Sequence, residues 1–272
     1  MNAVALATRD VPVLRRETRD RIALVTLNRP ASRNSLSLAM LEELIAAFAA
    51  IATDRTVRAV ILAAEGPAFS SGHDLKELTA HRADRDGGRG FFTKTWERCG
   101  TMMQAIVRLP QPVIACVHGP AAAAGCQLVA SCDLAVASDS ATFSTPGVNI
   151  GLFCTSPMVP LSRNLARKHA MEMLLTGEAV SAADALRIGL VNRVVAAGEE
   201  SATAMRLAER IASRSPAAIA IGKKAFYAQI EMGLTQAYDA ASRIMVENML
   251  EADAKEGIEA FLAKRAPEWD NG

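Results

Sequence analysis

The sequence predicts an α/β fold in which parallel strands alternate with helices and a helical layer closes the C-terminal end. Three observations carry that expectation. Short, strongly apolar runs at residues 57–64, 113–117 and 134–137 are separated by segments with helical periodicity, the order that builds parallel strand pairs. Strand character fades beyond Pro157, and the pattern after Glu199 is helical throughout. Across the 272 residues there is no low-complexity stretch, strong linker or solenoid-type repeat. The chain therefore divides into an α/β core over residues 1–200 and a helical region over residues 201–272 that share one folded body.

Each element has a local cause. Residues 11–18 and 22–27 read as two strands of a hairpin around Arg19-Asp20, and Asn28-Arg29-Pro30 ends the second. Ser37 is placed to cap a helix in which Met40, Leu41, Leu44, Ile45 and Phe48 recur at helical spacing. The run 57–64 is a buried strand, and Gly66-Pro67 and Ser70-Ser71-Gly72 punctuate the loop after it. Residues 81–90 are polar, glycine-rich and aperiodic, the pattern of a mobile loop, before helical spacing returns over residues 91–108. Residues 113–117 suit a buried parallel strand, His118-Gly119-Pro120 a turn, and the alanine-rich stretch to Ala130 a helix. Ser181-Ala182-Ala183-Asp184 opens a helix that stops at Gly189, and residues 190–195 form the last strand. The tail then carries Met245, Met249, Ile258, Phe261 and Leu262 on helices too few to bury them alone, so it packs on the core or on another subunit.

Composition narrows the function classes. Thirty basic against 29 acidic residues leave a net charge of +1, with no field to attract nucleic acid or an anionic membrane. The most apolar stretch, residues 112–137, is interrupted by His118, Gln127 and Asp133 and fails as a membrane span. The N-terminus lacks the compact apolar block of a secretory signal, and Asp10 and Glu17 argue against the transit peptide that its Ala/Arg content hints at, so the expected location is cytoplasmic. Cys99, Cys116, Cys126, Cys132 and Cys154 form no C-x-x-C pair and read as reduced core residues. Neither a metal-ligand spacing nor a phosphate loop nor a dinucleotide fingerprint is present, so no metal and no separately bound cofactor is expected.

Two small-residue loops each follow a buried strand: Ala68-Phe69-Ser70-Ser71-Gly72-His73-Asp74-Leu75-Lys76, and His118-Gly119-Pro120-Ala121 through Gly125-Cys126-Gln127. Such loops expose backbone N–H groups, and those near Ala124 would point outward at the positive end of a helix dipole. Paired donors from two loops can polarise a carbonyl, but from composition alone tight helix packing is the simpler explanation of the same small residues.

The order of these segments resembles the enoyl-CoA hydratase/isomerase, or crotonase, family from about residue 22 to residue 265. Residues 22–30 with Asn34-Ser35-Leu36 are similar to its first signature, residues 68–78 to its second, and residues 112–115, 124–128 and 132–134 to its third. Residues 72–78, 124–133 and 145–149 resemble one branch of that family in particular. The resemblance implies a crotonase-like spiral of ββα turns with a helical C-terminal trimerisation region, and a homo-trimer or hexamer. It implies an acyl-CoA or enoyl-CoA substrate in fatty acid metabolism, coenzyme A arriving as part of that substrate. It implies that the thioester oxygen rests on the backbone N–H groups of His73 and Ala124. Arg29, Arg33, Asp74, Leu75, Lys76, Phe261 and Lys264 fall at positions that resemble those lining the CoA channel. A hydrating crotonase activates water with two glutamates, and their matching positions here hold Gln127 and Gly147. A neutral amide takes no proton at pH 7 and glycine has no side chain. Weak hydration, another crotonase-type reaction (isomerisation, decarboxylation, thioester hydrolysis) or non-catalytic acyl-CoA binding follows as the expectation. His73 and His118 are the histidines near either loop; the backbone role already accounts for His73, with its imidazole as a second reading. His118, Asp74 and Asp133 read as structural, and Cys154 has no neighbour in sequence that would activate its thiol.

Overall fold

The computed structural model describes residues 11–269. Residues 1–10, on which the absence of a secretory block partly rests, and residues 270–272, the end of the helical region, lie outside them. Strands β1 (Leu14–Arg19) and β2 (Ile22–Leu27) form the expected hairpin. Arg19 faces Ile22 across it, so the turn is Asp20-Arg21, both at positive φ as a tight two-residue hairpin turn requires. Pairing begins at Leu14 rather than at residue 11, since Pro12 has no N–H to give to a ladder.

Helix α1 (Leu38–Thr53) starts at Ser37, whose hydroxyl accepts the Met40 N–H, and buries Met40, Leu41, Leu44, Phe48 and Ile51. It crosses to β3 (Ala59–Ala64), parallel to β2. The one-turn-plus helix α2 (Leu75–Ala80) follows, then α3 (Arg89–Arg108). The segment expected to be mobile is instead tied down: the His81 ring stacks on Phe91 at 3.6 Å, and the Asp86 carboxylate accepts the N–H groups of Gly88 and Gly90. Strand β4 (Val113–Val117), the short β5 (Ala121–Ala122), helix α4 (Ala124–Ser131), β6 (Leu134–Ser138) and β7 (Thr142–Ser144) come next. Helices α5 (Met158–Asn164) and α6 (Arg167–Thr176), β8 (Val180–Ser181), α7 (Ala182–Arg187) and β9 (Arg193–Val195) complete the strand-bearing part. Four helices end the chain: α8 (Glu200–Ala212), α9 (Pro216–Gln229), α10 (Leu234–Leu250) and α11 (Ala252–Leu262).

The main sheet runs β1-β2-β3-β4-β6-β9, parallel after its first hairpin, and β5, β7 and β8 make a smaller one. Alternation along the strands sends Ala23, Val25, Leu27, Val60, Leu62, Val113 and Ala115 into the large core with α1, α3 and α4. Ile22, Ala59, Ile61, Ile114, Cys116 and Val136 face the other way and are covered by Ala204 and Ala208 of α8.

Lys223 ties α9 to the core. Its side chain is only 7% exposed and donates to the carbonyls of Ile106 and Gln111 and to the Asp133 carboxylate, the last at 2.7 Å. Asp133 also accepts the Tyr227 hydroxyl and the Val113 N–H, the structural role expected of it. Burial without enough compensation lowers the Lys223 pKa below the ordinary lysine value despite Asp133. Phe226, Leu234, Tyr238, Phe261 and Leu262 remain exposed on this layer, the last two at 80% and 74%. Among the described residues no helix is long and apolar enough to cross a membrane.

Candidate functional site

Three segments from distant parts of the sequence meet at the C-terminal ends of β2, β3 and β4. Asn34 fixes the first. Buried and in the left-handed region (φ 52°), it donates through Nδ2 to the carbonyls of Glu65 and Ala68 and accepts the Arg29 N–H on Oδ1. Ser70 joins all three: its hydroxyl donates to the Asn34 carbonyl at 2.9 Å and accepts the Gly72 N–H, while its own carbonyl accepts the Ala122 N–H. The loop beyond it pairs with the Leu36 backbone, Leu36 N–H donating to Gly72 O and Asp74 N–H donating to Leu36 O. In a parallel bridge of this kind the intervening residue turns its own N–H to the opposite side, so the His73 N–H points away from Leu36.

On that opposite side lies the turn into α4. A Cβ on Gly72 would sit 2.9 Å from Ala123 Cβ and 3.2 Å from Ala124 N, so glycine is what lets the two segments approach. Ala123, which precedes α4, takes φ 49° and ψ −117°, a conformation costly for an L-residue and held here by the Ser144 carbonyl on its N–H. Ala124 opens the helix, with its N–H among those that have no intrahelical acceptor. Neither the His73 nor the Ala124 N–H donates to a protein acceptor among the described residues. The chain thus brings two unspent backbone donors, one at a helix N-terminus, to the place where the Gly72 loop meets the start of α4.

The other sequence candidates fall into place unevenly. Asp74 caps α2, accepting the N–H groups of Lys76 and Glu77, and binds Arg29 at 3.0 Å and the Ser35 hydroxyl. Burial works against its ionisation; the Glu77 backbone, Arg29 and Ser35 outweigh it, and its carboxyl titrates below the ordinary range. Arg29 is therefore engaged within the protein, whereas Arg33, Leu75 and Lys76 are exposed beside the loop. His118 gives its ring to the Gly66 carbonyl at 2.7 Å, as expected of a local structural histidine. Phe261 lines a groove with Met245, Ile258 and Trp269 on the C-terminal layer, and Lys264 lies two residues beyond α11; no hydrogen bond, ion pair or ring contact among the described residues joins either to the His73 loop.

Gln127 is buried, 4% exposed, one turn into α4, with Oε1 at 3.9 Å from the Cys99 thiol of α3. Gly147 is enclosed: a Cβ there would lie 2.6 Å from the Leu152 carbonyl oxygen and 2.9 Å from Cys154 Sγ. The five cysteines are free and buried, and burial holds the Cys99 and Cys126 thiols up at about 12 and raises Cys154 as well, which leaves no activated thiolate among them.

Sequence reasoning missed two participants. Trp96 of α3 packs on the His73 ring, centroids 5.2 Å apart; the helical spacing of residues 91–108 carried no hint of this partner. Ser70 looked like loop punctuation, and only its burial shows it to be the tie between the segments. Burial lowers the His73 pKa, the nearby Leu36 backbone opposing it more weakly, so the imidazole is neutral at pH 7.

Comparison with known proteins agrees with this architecture. A family model described as enoyl-CoA hydratase/isomerase matches residues 17–272. The branch resembled by residues 72–78, 124–133 and 145–149 is that of the rat protein enoyl-CoA hydratase domain-containing protein 3, mitochondrial. That protein is 48% identical over 252 residues, covering 93% of this chain and 82% of its own. The crystal structure of the human protein of that name superposes with a TM-score of 0.90 at 47% identity, covering 94% of this chain and all of its own. That of an enoyl-CoA hydratase from Mycobacterium smegmatis gives 0.91 at 51% identity, covering 95% and 99%. The fold is the crotonase fold. The expected cytoplasmic location is corrected by these relatives, whose rat, mouse and human members are named as mitochondrial proteins. The expectation rests on the N-terminal residues, where Asp10 and Glu17 stand against the Ala/Arg content of a transit peptide. With its model matched over nearly the whole chain, and solved relatives at about half identity sharing the fold, this protein belongs to the enoyl-CoA hydratase/isomerase family.

Proposed function

We propose that the protein binds an acyl-CoA or enoyl-CoA thioester of fatty acid metabolism and stabilises an enolate at its thioester carbonyl, with efficient hydration not its reaction. The observation that carries this is the approach of Gly72 to Ala123 and Ala124, with the His73 and Ala124 N–H groups unspent beside it. Two such donors around an oxyanion in a site shielded from water are each worth about 2.7–4 kcal/mol in the transition state. Arg33, Leu75 and Lys76 stand exposed beside the loop, where the CoA portion would leave the site. Against hydration stand an amide at Gln127, which takes no proton, and a Gly147 pocket already filled by Leu152 and Cys154.

The expected result is measurable affinity for short and medium acyl-CoA esters by calorimetry, with loss of the enoyl-thioester absorbance of a trans-2-enoyl-CoA at least about 100-fold slower than a two-glutamate hydratase shows. Absence of binding would remove the proposal; brisk hydration would overturn its second half. Binding with no turnover of any kind would favour an acyl-CoA-binding regulator instead.

The same reading includes self-association as a trimer or a dimer of trimers. Its support is the exposed apolar face of Phe226, Leu234, Tyr238, Phe261 and Leu262, which a single chain leaves uncovered. Light scattering is expected to give a mass of three or six chains, and a monomer at micromolar concentration would contradict it.

A further inference from the structure

The His73 side chain is unexplained by the backbone role of its residue. Both ring nitrogens are buried and neither has a hydrogen-bond partner, a state that costs about 1–3 kcal/mol for a buried polar group. Leu36 O, which accepts the Asp74 N–H, lies near the ring and weakly opposes the fall of its pKa, but no hydrogen bond joins the two. Trp96 packs against the ring on one side. One helical turn further along α3, Cys99 meets Gln127. The imidazole and the Gln127 amide therefore contact α3 one turn apart, and of the two only the imidazole can take a proton.

We infer that His73 is the catalytic base of this site, moving a proton to and from the carbon next to the thioester carbonyl. This rests on the thioester reading above. With the carbonyl oxygen on the His73 and Ala124 N–H groups, an unprotonated ring nitrogen of His73 accepts the proton from Cα. The C–H electron pair becomes the Cα–C double bond, and the carbonyl π pair moves to oxygen as the enolate. The imidazolium trades its proton with solvent and delivers a solvent proton to Cα, giving exchange, or, when the substrate carries a 3,4 double bond, passes its proton to Cγ, giving the conjugated 2-enoyl ester. No water, second acid or outside reactant is consumed. A single base matches a proton shift within the substrate better than the addition of water, which needs one group to activate the water and another to protonate carbon.

The test is deuterium incorporation at Cα of butyryl-CoA in deuterium oxide, followed by mass spectrometry. The wild type is run beside His73→Gln and His73→Ala, both of which keep the backbone N–H. Wild type is expected to exchange, and both variants to fall at least about 100-fold while their butyryl-CoA affinity, measured by calorimetry, stays within about threefold. Imidazole added to the buffer is expected to restore part of the His73→Ala rate. His73→Gln fills nearly the volume of the ring and breaks no hydrogen bond, so it serves as the folded control for the smaller residue. Exchange by both variants at the wild-type rate would overturn the assignment and leave thioester binding intact. Binding by the wild type without exchange would overturn it too, whereas failure of the wild type to bind any CoA ester would remove both readings.

Discussion

Installing glutamate at both Gln127 and Gly147 is expected to produce no hydratase, and a protein less stable by about 3 kcal/mol. From sequence alone the double variant is the natural way to rebuild a water-activating pair, because the two positions match those of the missing acids. The structure removes that expectation at each position for a different reason. At Gly147 the first atom of any side chain meets the Leu152 carbonyl oxygen at 2.6 Å and Cys154 Sγ at 2.9 Å. The loop is closed there by the Leu152 N–H on the Gly147 carbonyl, and Cys154 is in turn held at the start of α5 by the Met158 N–H on its carbonyl. A glutamate must open this loop before its carboxylate reaches anything, and overpacking of that kind costs about 1–3 kcal/mol. At Gln127 the side chain is already accommodated, but it is buried and faces a thiol held at about 12 rather than a cation. A carboxyl there keeps its proton near pH 7 and is no base. The measurements are urea unfolding and the absorbance of a trans-2-enoyl-CoA; brisk hydration by the double variant would show that the loop yields easily and that this account of Gly147 is wrong.

How far the site could be read from the residues follows from what each feature depends on. The helix over residues 38–53 was legible because its cap, Ser37, and its apolar stripe are local, and the strands at 59–64 and 113–117 because buried parallel strands are nearly continuous in apolar residues. The paired loops were legible as candidates because glycine and small residues after a strand are themselves the signal for close backbone approach. What sequence could not show was occupancy of space. Glycine at 147 reads as a missing side chain, and nothing in its neighbours tells that the chain five residues on folds back to fill the gap. The segment 81–90 reads as mobile because polar, glycine-rich stretches usually are; Asp86, accepting two N–H groups, and the His81–Phe91 stack hold it by pairings that no periodicity encodes. The location failed for a different reason, since two acidic residues, Asp10 and Glu17, outweighed the Ala/Arg content of the N-terminal stretch in that reading.

Gly125→Ala is expected to cost about 3 kcal/mol and to lower thioester proton exchange by about 100-fold or more. The residue lies just inside α4, where alanine is ordinarily the better helix former. Here its Cβ would press into the Ser70 carbonyl oxygen and sit 2.8 Å from Ser70 Cβ. Both belong to a residue with no room to retreat: Ser70 is fully buried, its hydroxyl committed to Asn34 and its carbonyl to Ala122. The strain is relieved only by moving α4 away from the loop, which separates the Ala124 N–H from the His73 N–H and loses one donor to the oxyanion. Gly100→Ala supplies the contrast. That glycine is inside α3, its Cβ would meet nothing within 4 Å, and the substitution is expected to stabilise by about 0.4–1 kcal/mol through the unfolded chain. Urea unfolding midpoints and deuterium exchange on butyryl-CoA, measured on both variants, separate the two effects. If Gly125→Ala matches the wild type in stability and in exchange, the close approach of α4 to Ser70 is not what positions the two donors. Loss of exchange at unchanged stability would still leave the donors as the sensitive element, since a displacement of about 1 Å in a positioned group is enough to cost 100-fold in rate.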